Sequence, residues 1–158
     1  MFFPTRFGGR EFNHNDILVM GVLNVTPDSF SDGGNLYVGE KLDPGKTLNH
    51  AAEMLQQGAS IIDIGGESTR PGAAPVELQQ EMDRVLPIVE LLAAEHDCVI
   101  SVDTSRPEVM REVVRSGAGL INDIRALTLP GALSMAASLD VPVLSLIHIS
   151  EPTRRSTI

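Results

Sequence analysis

Five short apolar runs, at residues 17–23, 60–64, 99–102, 120–121 and 141–147, alternate with longer stretches that carry helical periodicity. Runs this short and continuous read as strands buried on both faces, and their alternation with helices predicts repeated βα units around a parallel sheet. The units recur at roughly 40 residues, the length a βα barrel requires. The expected fold class is therefore α/β, of the TIM-barrel type. The 158 residues hold four such units and a fifth strand, about four and a half of the eight that close a barrel.

The helical segments carry start and stop signals. Asp43 followed by Pro44 suits an N-cap with proline at the first helical position, and Gly58 suits the stop; Leu48, Ala51, Ala52 and Leu55 then share one face. A second helix is expected from about residue 76 to 96, with Leu78, Met82, Val85, Val89 and Leu92 on its apolar side and a kink at Pro87. Ser105 and Glu108 have capping-box spacing for a third helix ending near Gly117, and residues 132–139 suit a short fourth.

Composition narrows the class of partner. A 42% hydrophobic content supports a core, and no apolar stretch approaches the roughly 20 residues of a membrane span. The net charge of −9 repels polyanions, which excludes nucleic acid and anionic membranes as expected partners. The lone cysteine, Cys98, opens an apolar run and reads as a small hydrophobe. With no basic-then-apolar leader at residue 1, a cytoplasmic location is expected.

The polar residues follow the strands. A loop rich in Pro, Asp, Ser and Gly spans 24–34, and a second spans 65–72 with Ser68, Thr69 and Arg70 between glycines. The third strand ends in Asp103, the fourth in Asn122 and Asp123, and the fifth in His148. In a parallel barrel these ends meet on the face that carries the active site. Asn24 offers a neutral oxygen to a magnesium ion held mainly by substrate phosphates. Arg70 either grips an oxyanion in a bidentate fork or pairs with Glu67 or Asp63. Asp103, at the tip of a buried strand, needs partners; capping its own helix is the plainer role, but Thr104 and Ser105 can already do that. Asp103 beside Asn122 either forms a surface for a heterocycle with amino and ring-nitrogen edges or belongs to a satisfied Asn–Asp core pair. His148 reads as a core or edge histidine. No Ser–His–Asp or zinc-ligand pattern is present in the sequence.

The stretch Gly21-Val-Leu-Asn-Val-Thr-Pro-Asp-Ser-Phe-Ser-Asp-Gly-Gly34 resembles the first signature of dihydropteroate synthases, and Asp63-Ile-Gly-Gly-Glu-Ser-Thr-Arg-Pro-Gly72 resembles the second. Ser101-Val-Asp-Thr-Ser105 and Ile121-Asn-Asp-Ile124 follow in the family's order, so that the resemblance covers residues 18–148. It implies a TIM barrel that condenses 6-hydroxymethyl-7,8-dihydropterin pyrophosphate with p-aminobenzoate and releases pyrophosphate. It also implies magnesium at Asn24, pterin-substrate contacts at Thr69, Asp103 and Asn122, and a p-aminobenzoate pocket bordered by Phe30, Thr69 and Pro71. The loops 24–34 and 68–72, with Ser68 and Arg70, match the family's mobile loops over pyrophosphate and p-aminobenzoate. Asp103 and Arg70 would be the catalytic pair. Family members are commonly homodimers and sulfonamide targets.

The family barrel continues beyond what this chain matches. Residues 1–149 are expected to form its N-terminal half, and 150–158 an irregular tail unlike the family's sequence, with a foreign join near Ser150. Weak or absent catalysis by the isolated chain is the corresponding expectation. Rival readings are a non-catalytic pterin-binding fragment and a pterin-dependent methyltransferase domain; residues Ser68 to Pro71 argue against the second.

Overall fold

The computed structural model describes residues 5–13, 15–27, 36–38, 41–68 and 75–145. In chain order the elements are β1 (Thr5–Phe7), β2 (Arg10–Phe12), β3 (Met20–Asn24), β4 (Tyr37–Val38), β5 (Lys41–Leu42), α1 (Pro44–Gln56), β6 (Ile61–Gly65), α2 (Leu78–Glu95), β7 (Val99–Asp103), α3 (Pro107–Arg115), β8 (Leu120–Asp123), α4 (Ala132–Ser138) and β9 (Val143–Ser145). Strands β3, β6, β7, β8 and β9 form one sheet in that order, every pair parallel. This is the expected α/β arrangement. The strands begin at residues 20, 61, 99, 120 and 143, so the repeat holds for two units and roughly halves for the next two.

Alternation along each strand divides the sheet into two faces. Leu23, Ile62, Ile64, Ile100, Val102 and Ile121 pack into the helix layer against Ala51, Val85, Ile88, Val89, Leu92, Val109, Met110 and Val113. Each fully buried aliphatic side chain there contributes about 1.5–3 kcal/mol. Gly21 leaves room on that face for Met54, whose sulfur would sit 2.7 Å from a Cβ at residue 21. On the opposite face, Ile61, Val99 and Leu120 form a small cluster at the strand N-termini with Phe7, Phe12, Leu18 and Met20.

The three central strands are buried as expected, but the edges are not. Ile17 and Val19, placed by the apolar run in the first strand, lie before it and are 91% and 52% exposed. Val22 and Leu144, on the face away from the helices, are 50% and 40% exposed because β3 and β9 are edge strands with a neighbour on one side only among the described residues.

The helix signals hold for α1: Asp43 Oδ1 accepts from the Lys46 amide at 3.1 Å, and Gly58 follows with φ of +104°. Helix α2 continues through Pro87, which faces solvent, where water can reach the carbonyl that proline leaves without a donor. Two antiparallel ribbons, β1–β2 and β4–β5, were not anticipated, because strands of two or three residues leave no periodic trace. The β1–β2 turn at Gly8 and Gly9 lies under the sheet, and Arg10 pairs with Asp97 at 2.6 Å before β7.

A Cβ on Gly119 would overlap the Gly8 backbone, so the hairpin packs against β8 only because residue 119 is glycine. Gly119→Ala is expected to lower stability by about 1–3 kcal/mol through overpacking. Gly45→Ala, whose Cβ would meet only Asp43 Oδ1 at 3.4 Å, is expected to be neutral or mildly stabilising. Urea midpoints measure both; equal midpoints for wild type and Gly119→Ala would refute this packing.

Candidate functional site

The parallel register sets Asn24, Gly65, Asp103 and Asn122 side by side on one rung at the C-terminal ends of β3, β6, β7 and β8. One rung down, on the same face, lie Val22, Asp63, Ser101 and Leu120. The face away from the helices is thus apolar at its base and polar at its top. Gly65 keeps the rung open: a Cβ there would lie 3.1 Å from Asn24 Oδ1. Asn24 and Ser68 are half-buried. Phe30, Thr69, Arg70, Pro71 and His148 lie outside the described residues, as do 28–35, 69–74 and the tail from 150.

Asn122 does belong to a buried Asn–Asp pair, but its partner is Asp63 rather than Asp103. The Asn122 amide donates to Asp63 Oδ2 at 2.9 Å, while the Ser101 hydroxyl donates to Asp63 Oδ1 at 2.6 Å. This fixes the Asn122 side chain with its donor end engaged. Its Oδ1 is buried and takes no hydrogen bond among the described residues, so the group it offers the rung is an acceptor.

Asp103 takes no hydrogen bond to its carboxyl among the described residues. Burial, and then the carboxylates of Asp63, Asp123, Glu81 and Glu67, push its pKa up to about 7 from an ordinary 3.8. It shares a cleft with Glu67, Thr104, Ser105, Ile124 and Arg125. Burial disfavours the charged form first, and the surrounding carboxylates add to it.

The other carboxylates each have partners. Glu81, 1% exposed on α2, accepts from the Thr104 hydroxyl at 2.6 Å and lies 3.2 Å from Arg106 Nε. Burial still pushes its carboxyl upward. Arg106 also donates to the Val76 carbonyl, and Arg84 donates to the Gly66 carbonyl at 2.9 Å. Arg84 on α2 thus braces the start of the loop after β6, and Arg106, paired with Glu81 of α2, braces its far end. Gly66 is required here, since a Cβ would meet Val85 at 2.7 Å.

Asp123 is fully buried and accepts from the Ser105 hydroxyl at 2.5 Å. Ser105 consequently does not cap α3: that helix starts at Pro107 after Arg106, where proline needs no amide partner. Neither Asp103 nor Ser105 caps α3, contrary to the capping-box spacing of Ser105 and Glu108. Of the two acids considered as partners for Arg70, Asp63 is engaged as above and Glu67 lies 3.4 Å from Arg125.

The sequence held signals for residues it did not single out. Asp63 interrupts an otherwise apolar strand. Glu81 falls on the same helical stripe as Val85, Ile88 and Leu92, which is the buried one; Leu78 and Met82, assigned to the core face, are only partly buried. Cys98 is half-buried against the core rather than fully inside. Among the described residues, no three His, Cys, Asp or Glu side chains are grouped to hold a metal ion, and no helix is long and apolar enough to cross a membrane.

The profile of a family described as pterin binding enzyme matches residues 20–157. The dihydropteroate synthase of Escherichia coli (strain K12) is 55% identical over 131 residues, which are 83% of this chain and 44% of that one. A Yersinia pestis dihydropteroate synthase structure, solved as a sulfonamide drug complex, aligns with a TM-score of 0.82 at 50% identity, over 90% of this chain and 50% of that one. The Xanthomonas albilineans dihydropteroate synthase with 4-aminobenzoic acid gives a TM-score of 0.76 at 48% identity, over 85% and 48% of the two chains. This chain spans about half the length of the relatives it matches.

The Asp103 shift has a measurable sign. A folded value of about 7 above an ordinary 3.8 means the folded state retains a proton that the unfolded chain has lost. Stability is therefore expected to fall as pH rises from about 4 to 7 and then to level off, whereas Asp103→Asn lacks that slope. Urea midpoints across this range, wild type against variant, provide the comparison; a pH-independent difference would show that Asp103 ionises normally.

Proposed function

Because the chain belongs to the family of pterin-binding enzymes, we propose that it carries the pterin-binding half of a dihydropteroate synthase, condensing 6-hydroxymethyl-7,8-dihydropterin pyrophosphate with p-aminobenzoate. The observation that carries this reading is the single rung of Asn24, Gly65, Asp103 and Asn122 at the strand ends. A buried acceptor on Asn122 and a carboxyl poised near neutrality on Asp103 suit a heterocycle edged with N–H groups.

In this reading the bond from the pterin methylene carbon to the pyrophosphate oxygen breaks first, and the electron pair leaves with pyrophosphate. The p-aminobenzoate nitrogen then bonds to the cationic methylene and loses a proton. Such chemistry needs charge stabilisation and positioning more than a strong base. Ionised Asp103 would favour the cationic pterin, with Asn122 and Thr69 holding the ring. Arg70, with Ser68 beside it, would face the departing pyrophosphate, and Phe30, Thr69 and Pro71 would border p-aminobenzoate. Asn24 fits a magnesium ion as a single neutral ligand, since Gly65 leaves the space before its Oδ1 open. When bound, that ion would neutralise pyrophosphate charge, its remaining ligands coming from phosphate oxygens and water. A cytoplasmic location and a homodimer of the complete enzyme belong to the same reading.

Calorimetric titration of the 158-residue chain with dihydropterin pyrophosphate and magnesium tests this proposal. Binding is expected in the wild type and a loss of at least about tenfold in Asp103→Ala, equivalent to about 1.4 kcal/mol. Absence of binding in the folded wild type would refute the pterin site of this chain; undiminished binding in the variant would refute the role of Asp103.

A further inference from the structure

The segment after β8 adopts an uncommon backbone. Ala126 and Leu127 are consecutive non-glycine residues with φ of +53° and +57°, the left-handed region that L side chains rarely occupy. Nothing in their residue types favours it, because neither is Gly, Asn or Asp. The reason lies in the preceding residue pattern. Asp123 Oδ1 accepts from the Arg125 amide at 2.8 Å, Oδ2 accepts from the Leu127 amide at 2.9 Å, and the Asp123 carbonyl accepts from the Ala126 amide at 3.2 Å. Three successive amides thus converge on one buried residue. The Ser105 hydroxyl adds a fourth donor, from the neighbouring strand's loop, at 2.5 Å.

This arrangement requires two acceptor oxygens and no donor. An ionised carboxylate meets that demand; an Asn side chain would turn an amino group toward one of the donors. The wrapped segment places Ile124 and Arg125 in the lining of the cleft that Asp103 occupies, with Arg125 held 3.4 Å from Glu67. Strained backbone beside such a cleft persists only where its surroundings over-determine it.

We propose that Asp123 is a positioning residue for this cleft: its buried carboxylate wraps residues 124–127 into the left-handed turn that presents Ile124 and Arg125 beside Asp103. Asp123 itself need not touch a ligand. Its link to Ser105 ties the loops after β7 and β8 into one unit, so that the two walls of the cleft are set together. The consequence for ligand binding rests on the pterin reading above; the consequence for the loop does not.

The test compares wild type, Asp123→Asn, Ser105→Ala and, as a destabilised control remote from the cleft, Gly119→Ala. Amide hydrogen exchange and titration with dihydropterin pyrophosphate and magnesium are measured on each. Asp123→Asn is expected to speed exchange in 124–128 at least about tenfold while α2 and β7 stay as in wild type, and to weaken binding by a similar factor. Ser105→Ala should move both in the same direction by less, and it decides the question if Asp123→Asn does not fold. Gly119→Ala should leave both unchanged relative to its own global stability. Unchanged exchange in 124–128, or a loosened loop with wild-type affinity, would overturn the proposal. A wild type that binds no pterin would instead overturn the functional reading, and the exchange data alone would then decide the role of Asp123.

Discussion

Ile62, Ile100 and Ile121 all point into the helix layer, and the parallel register of β6, β7 and β8 keeps them on that one face. A slip of one residue on any of the three would turn an isoleucine away from the helix layer and turn Asp63, Asp103 or Asn122 toward it. The hydrophobic demand on one face therefore places the polar groups on the other. Asn24, Asp103 and Asn122 share a rung because their apolar neighbours are locked.

That placement brings acids together, and their compensation is uneven. Asp63 is held by a hydroxyl and an amide, Glu81 by Thr104 and Arg106, Asp123 by Ser105 and two backbone amides, and Glu67 by Arg125. Asp103 is buried, feels the neighbours' charge and has none of their donors among the described residues, so its carboxyl keeps a proton near neutrality. A carboxyl in that state can both donate and accept, and it ionises readily when a cation arrives beside it. The same crowding that costs stability makes the group responsive to a ligand.

The apolar base and the polar rung sit at opposite ends of the strands. At the N-terminal ends the β1–β2 hairpin packs Phe7 and Phe12 against Ile61, Val99 and Leu120, with Gly8 and Gly119 allowing the close approach. At the C-terminal ends the loops are braced from behind by α2, through Arg84, Glu81 and Arg106.

Much of this was legible in the sequence. The central strands, the caps of α1, the parallel order and the convergence of Asn24, Asp103 and Asn122 follow from periodicity and from polar residues at strand ends, because burial imposes a period of two or 3.6 on any chain that folds this way. The family signatures are equally local. The partners were not legible. That Asn122 pairs with Asp63, that Ser105 serves Asp123 instead of its own helix, and that Glu81 is buried against Thr104 depend on groups 59, 18 and 23 residues apart along the chain. A side chain with two possible hydrogen-bond partners chooses the one that tertiary packing brings within reach, and no local pattern records that choice. The sequence by itself determined which residues stand at the strand ends; the tertiary structure decided which of them are satisfied there and which, like Asp103 and the Asn122 oxygen, find no partner among the described residues.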